Sequence, residues 1–455
     1  MRSLRPSAVG LESILWDAVK DLQAVIRLES VNPPGNELAV ARYVHDILHR
    51  HGVASHLYEP APGRGIVIGR VRGRGTLPPL LLMAHMDVVG VERDKWSTPP
   101  FGGEVLDGYV YGRGAIDDKG MLVTNLHAVL WLQSLVDDGV VPERDVIFLA
   151  TADEEAGGDH GIDWVMAHHR DEIQAGVALN EGGRVRVING AIAYAAVQCA
   201  EKVPYNVFVT ARGSGGHAAI PHDGNAITRL ARALDRITAH REPLELFDVT
   251  RGFFSQLAGV WPDEGLRSAM ADLASRDPAR EARGAAAVSA LPSLDAVLRS
   301  GISPTLISGG IRSNVIPTEA EATLNIRLMP GGSLDGLLER LRALVDDPAV
   351  EFRLKSSGLD APASSPSAPE YQAIVDALQA VQPGLPVAPY LSTGATDSAT
   401  LRHAGIPCYG LLPFPLTQED EDRMHGHDER VRIDALSFGL AVTCGIVSRL
   451  AMEGT

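Results

Sequence analysis

Histidines and carboxylates recur along this chain in five short clusters, each in a Gly-rich turn or at the end of an apolar run. Leu80-Leu81-Leu82-Met83-Ala84 leads into His85-Met86-Asp87. Residues i and i+2 of an extended segment face the same way, so His85 and Asp87 can act together, the carboxylate holding one imidazole nitrogen while the other meets a metal. Taken alone, the pair reads more readily as a surface His and Asp. Tyr111 to Gly120 delivers the adjacent acids Asp117 and Asp118 just before a long apolar helical pattern. An N-cap accounts for one acid and leaves the other, and the glycines, unexplained. Asp153-Glu154-Glu155 closes the apolar run Val146 to Ala150. Three successive carboxylates raise one another's pKa unless a cation compensates, and alternation of side chains gives Glu154 and Glu155 different roles. A solvated acidic turn is the other reading. Glu181 repeats the arrangement within Leu179-Asn180-Glu181-Gly182-Gly183, and His425-Gly426-His427-Asp428-Glu429 adds two imidazoles. Singly these are ordinary surface residues. Together they form an imidazole and carboxylate set without thiolate, which suits zinc or a similar divalent ion in a catalytic site.

The ordered series HMDVV, GRGAIDDKG, DEE, NEG and HGHDE resembles the co-catalytic zinc family of aminoacylase, acetylornithine deacetylase, succinyl-diaminopimelate desuccinylase and carboxypeptidase S, over nearly the whole chain. Gly213 to His222, and Ser313 to Pro317 through Asn325-Ile326-Arg327, resemble the signatures of that family's lid or dimerisation domain. An extra stretch from Leu244 to Ser300, and Asp428-Glu429-Arg430 after the final histidines, look most like the carboxypeptidase S branch. The resemblance implies two zinc ions per subunit, with cobalt or manganese as substitutes. His85, Asp117 and Glu181 would hold one ion, and Asp117, Glu155 and His425 the other, with Asp117 as the bridge. Glu154 matches the general base and Asp87 the acid that orients His85. A cis peptide often follows the bridging acid in this family. Two divalent ions against three ligand carboxylates and a bridging hydroxide leave such a site near neutral, and Glu154 would take the proton of the water and deliver it to the leaving amine.

In the lid, the resemblance makes His217 the oxyanion donor, reaching into the site of another subunit, and Arg327 the clamp on a substrate carboxylate. Asn314 and Gly394 fall at further substrate-binding positions, and His222 and His427 are read as structural. The implied partners are a small peptide or N-acyl amino acid and a second copy of the chain, as a homodimer. The activity is hydrolysis of an amide next to a free carboxylate, by a metallocarboxypeptidase or an N-acyl-amino-acid amidohydrolase. A catalytically silent binding or scaffold relative is the alternative; it would be marked by loss of a ligand or of the base, and none is missing.

These residues need a scaffold, and the chain is long enough for two domains or three, with 455 residues of which 45% are apolar and 22% charged. The net charge is −16 with no block of Lys and Arg, so no nucleic-acid partner is expected. Cys199, Cys408 and Cys444 are widely spaced and form no CxxC pair, as expected of buried core thiols. Arg2 and Arg5 open the chain, but acids and Lys20 interrupt Leu11 to Leu28 where a signal peptide needs an apolar run. With no uninterrupted apolar run of about 18 residues, no membrane span is expected, and the default compartment is the cytoplasm.

Helical spacing is read over Leu11 to Leu28, Glu37 to His51 and Lys119 to Leu135, and strand-like runs over Gly65 to Val71, Leu80 to Ala84, Val146 to Ala150 and Gly176 to Leu179. Their alternation predicts an α/β catalytic domain with a mostly parallel sheet flanked by helices. From about Pro204 the pattern changes to alternating strands, Asn206 to Ala211 and Glu319 to Leu328, with a helix over Asn225 to Ala239, as in an α+β unit. The chain therefore reads as a discontinuous zinc-binding domain, 1–200 and 365–455, with an inserted lid domain, 201–364, that carries a helical insertion at about 244–300. Asp360 to Pro369 reads as a linker.

Overall fold

Apolar residues at helical spacing make the helix Ala8–Arg27, which buries Ala18, Leu22, Val25 and Ile26 and ends before the breaker Asn32-Pro33-Pro34-Gly35. This computed structural model describes residues 8–452, so Arg2 and Arg5 lie outside the described residues. The chain forms two compact units: Met1–Cys199, Ala363–Tyr390 and Thr396–Thr455 make the first, and Ala200–Pro362 with Leu391–Ala395 the second.

The first unit is built on an eight-stranded sheet. Its order is Ala54–Ala61, Arg64–Val71, Val146–Thr151, Leu80–His85, Val177–Ile188, Cys408–Leu416, Ala191–Glu201 and Val387–Ser392. The strands Val146–Thr151, Leu80–His85, Val177–Ile188 and Cys408–Leu416 run parallel, and antiparallel pairings flank them. The α/β class expected from the sequence is therefore borne out, with antiparallel edges added. Leu80–His85 and Val146–Thr151 are buried along their whole length, as strands covered on both faces must be. Leu81, Met83, Ile147 and Leu149 pack with Ile162 and Val165.

Helix Lys119–Asp137 packs on the strand Leu80–His85 and against helix Ile433–Met452. The latter is long and apolar enough to cross a membrane by composition alone, a feature that counting uninterrupted apolar residues missed, yet 72% of its apolar window is buried in this unit. It is a core helix. The strand from Val177 continues to Ile188, well past the expected Leu179, because its far end pairs with Ala191–Glu201 in an antiparallel hairpin.

The second unit carries a four-stranded antiparallel sheet, ordered Gly301–Gly309, Glu319–Leu328, Val203–Arg212 and Val350–Ser357. Helices Ala226–Ala239 and Leu334–Val345 bury Leu230, Ile237, Leu337 and Leu341 against Val207, Val209, Leu324 and Ile326. Asn225 caps the first of these helices, accepting the Ile227 N–H. The stretch read as a helical insertion contains helices Asp248–Leu257, Glu264–Leu273 and Pro278–Val288, and a short turn Pro292–Asp295.

Candidate metal centre

Parallel register brings three of the sequence clusters to one edge of the first unit's sheet. His85 is level with Thr151, and Leu82 with Leu179. Asp87, the Asp153 to Glu155 turn and Glu181 therefore follow on the same side, where open α/β sheets place their sites. The loop before helix Lys119–Asp137 brings Asp117. That loop needs glycine: Gly114 has φ of +87°, and a Cβ there would stand 2.8 Å from Val88 Cγ1. At Gly120 a Cβ would lie 2.3 Å from the Ala115 carbonyl oxygen. The Asp117–Asp118 peptide is cis.

Asp117 stands between two imidazoles. Its Oδ1 lies 3.1 Å from His85 Nε2 and its Oδ2 3.1 Å from His425 Nε2. His425 Nε2 is also 3.2 Å from Glu155 Oε1. The other nitrogen of His85, Nδ1, lies 3.0 Å from the Asp87 carbonyl oxygen and 3.4 Å from its Oδ1. Asp87 is fully buried and holds more than the histidine: it accepts the N–H groups of Glu154 at 3.2 Å and Glu155 at 3.0 Å. One carboxylate thus fixes both His85 and the turn that carries the two glutamates. Asp118, which the sequence left unexplained, does not cap the helix; its Oδ2 accepts the His85 N–H at 3.2 Å.

Two trios stand close enough to share an ion. His85, Glu154 and Glu181 each offer a ligand atom within 4.8 Å of the others, and so do His85, Asp117 and Glu155. Burial and the neighbouring Asp117 push the Glu181 carboxyl up to about 8, and burial with Glu181 holds Glu154 well above the usual carboxylate range. Burial also opposes ionisation of Asp117, yet His425 and His85 hold it well below the usual range. Asp117, then Glu155, raise His425 to about 10. Converging carboxylates of this kind, with nitrogen and oxygen donors only, fit a divalent cation.

Several supporting residues carried no spacing signal. Asn32 Nδ2 donates to Asp87 Oδ2 at 2.8 Å and to Asp153 Oδ1 at 3.0 Å, and Arg64 Nη2 reaches Asp153 Oδ1 at 2.6 Å and Glu37 Oε1 at 2.9 Å. All five are buried, and Asp153 takes a left-handed φ of 70°. The first acid of the Asp-Glu-Glu run therefore turns into this network. Asp397, also buried, accepts the Thr151 hydroxyl at 3.2 Å.

The second unit holds the remaining expected site residues. Strand Gly216–His217 pairs with Val315–Ile316, and the Ala218 N–H donates to the Asn314 carbonyl oxygen at 3.1 Å, so His217 and Asn314 are neighbours; both are exposed. Arg327 is half-buried near the far end of strand Glu319–Leu328, opposite Pro204 and Gly301. Eight residue steps along the strand separate Glu319 from Arg327, about 26 Å at the usual rise. The unit therefore does not bring Arg327 to His217. A polar row crosses the sheet to hold Arg327: its Nε donates to Asn325 Oδ1 at 3.1 Å, Asn325 to Asn206 Oδ1 at 3.1 Å, and Asn206 to Ser356 Oγ at 2.9 Å. Gly394 is exposed, with its N–H on Ser392 Oγ at 3.2 Å. His222 accepts the Gly224 N–H, and His427 meets Glu92 at 3.0 Å.

Residues 81–449 match the model of peptidase family M20/M25/M40. The chain is 31% identical to the N-fatty-acyl-amino acid synthase/hydrolase PM20D1 of Xenopus tropicalis, over 80% of this chain and 70% of that protein. It is 30% identical to carboxypeptidase S-like 2 of Dictyostelium discoideum, over 79% and 69%. Among solved structures, the M20 family metallo-carboxypeptidase Sso-CP2 of Sulfolobus solfataricus shares the fold with a TM-score of 0.72 at 17% identity, covering 95% of this chain and 98% of that one.

Proposed function

The chain belongs to peptidase family M20/M25/M40 and is a metal-dependent hydrolase, and from that premise we propose that it cleaves the amide bond of an N-acyl amino acid or small peptide next to a free carboxylate. The observation that carries this reading is Asp117, whose two oxygens face His85 and His425 at 3.1 Å each amid further carboxylates. Held by His85, Asp117 and Glu181, and by Asp117, Glu155 and His425, two divalent cations, read as zinc, would polarise the scissile carbonyl and acidify a water. Glu154, standing with His85 and Glu181 and held through its N–H by Asp87, takes up a proton and returns it to the leaving nitrogen. Asp87 keeps Glu154 and His85 in place through the bonds described above. Arg327 receives the substrate carboxylate, and a guanidinium fixed by Asn325 suits that task.

His217 supplies the oxyanion contact from a second copy of the chain, with Asn314 beside it. Support comes from the second unit, where His217 stands on the two-stranded ribbon with Val315–Ile316, before the Glu319 end of strand Glu319–Leu328, and Arg327 lies near the other end of that strand, a separation that favours contributions from two copies. The edge strand Gly301–Gly309 also exposes Leu306 and Ile307, at 62% and 68%, which suits a homodimer contact. We place the enzyme in the cytoplasm, as three buried thiols in no disulfide, Cys199, Cys408 and Cys444, suit a reducing compartment. The test is a screen of N-acyl amino acids and dipeptides against the same compounds as C-terminal amides, with zinc-loaded protein. Cleavage of the free acids and loss of activity on chelation are expected; equal cleavage of the amides would remove the carboxylate requirement.

A further inference from the structure

Glu429 is a fully buried carboxylate that no step above uses. Its Oε2 accepts Arg113 Nη1 at 2.6 Å and the Gly114 N–H at 3.0 Å, and its Oε1 accepts the Ile116 N–H at 2.8 Å and the Asp117 N–H at 3.1 Å. Each oxygen thus serves two donors, and three of the four are backbone groups of the loop that ends in Asp117. Arg113, itself 2% exposed, uses its other terminal nitrogen, Nη2, to reach the Gly426 carbonyl oxygen at 2.7 Å, directly after His425. The Gly112 N–H donates to the Glu429 carbonyl oxygen at 2.9 Å, and Arg430 pairs with Tyr111. His425 has a positive φ of 57°, so its backbone depends on what holds the residues around it.

We propose that Glu429 and Arg113 form a clasp that sets the separation of Asp117 and His425, and so governs affinity for the cation shared by Asp117, Glu155 and His425. The pair are positioning residues and touch no substrate. The inference rests on the ligand reading of the preceding subsection. It goes beyond that reading by giving buried residues more than 300 positions apart a joint role. Groups that orient metal ligands typically set affinity by about 10- to 100-fold.

The test titrates metal-free protein with zinc by calorimetry, with elemental analysis of the loaded protein, for wild type and Glu429→Gln. The amide has nearly the size of the carboxylate but must turn an NH2 group towards two N–H donors in either orientation. Wild type should take up two ions, and the variant should bind one with unchanged affinity and the other about 10- to 100-fold more weakly, with a native circular dichroism spectrum. Should that variant not fold, Arg113→Lys keeps the charge beside Glu429 but gives up the second bond to Gly426, and it carries the same expectation. A wild type that takes up fewer than two ions overturns the ligand reading itself. Two ions in wild type, with unchanged affinities in the folded variant, overturn the clasp alone.

Discussion

Glu154 and Glu155 are neighbours in sequence, yet their N–H groups rest on different oxygens of Asp87 and their side chains meet different partners. Glu155 reaches His425 at 3.2 Å, whereas Glu154 stands with His85 and Glu181. Replacing Glu154 by Ala should leave both cations bound while kcat falls by about 10²–10⁴, the usual worth of a positioned proton carrier. Elemental analysis beside steady-state kinetics checks this; a variant that loses an ion instead would mean that the two glutamates have exchanged roles. At Arg327 the expected change lies in substrate binding. Arg327→Lys should raise KM for free carboxylates by about tenfold to a hundredfold, the range given by 1.5–3 kcal/mol for charged hydrogen bonds, with little change in kcat. Asn325→Ala, which removes the partner of Arg327 Nε, should shift KM the same way by less; a fall in kcat at constant KM would speak against a positioning role.

Among the elements, helices Ala8–Arg27, Leu38–Arg50 and Lys119–Asp137 meet at one half-buried polar junction. Asp21 accepts the Tyr43 hydroxyl at 2.7 Å and lies 2.8 Å from His127 Nε2. Burial works against its charge, but His127 and Tyr43 lower its pKa overall. A carboxyl with a depressed folded pKa contributes stability above its unfolded value of 3.8 and loses it as pH falls through the lower folded value. Asp21→Asn should therefore cost about 0.5–1.5 kcal/mol near neutral pH, since solvent screens a half-buried carboxylate, and the difference from wild type should shrink below about pH 4. Urea melts at both pH values check this, and a deficit that persists at low pH would contradict it. The sequence made these helices, the parallel strands and the Glu319–Leu328 strand legible because each carries an uninterrupted apolar period. It did not reveal the antiparallel extension of the Val177–Ile188 strand, which depends on a partner strand. Likewise, the ligand clusters were visible as motifs, whereas Asn32, Arg64 and Arg113 act through contacts between distant segments that no local spacing encodes. Asp153, given no role of its own by the sequence, anchors the turn through Arg64 and Asn32.

At the scale of the whole molecule, the distance of His217, on its two-stranded ribbon, from Arg327, near the far end of strand Glu319–Leu328, bears on assembly. If each site borrows His217 from another copy, His217→Ala and Glu154→Ala should each be nearly inactive, and mixed dimers should regain activity through the site that keeps both groups. Full activity from a strictly monomeric protein would contradict the borrowing while leaving the metal chemistry in place. Under the proposed function, His85, Asp117, Glu155, Glu181 and His425 form a two-cation centre required for hydrolysis. Its most direct test is to strip the protein of metal, verify this by elemental analysis, and follow hydrolysis of an N-acyl amino acid while zinc is restored. The expected result is no hydrolysis without metal and recovery as loading approaches two ions per chain; hydrolysis that persists in verified metal-free protein would contradict the account.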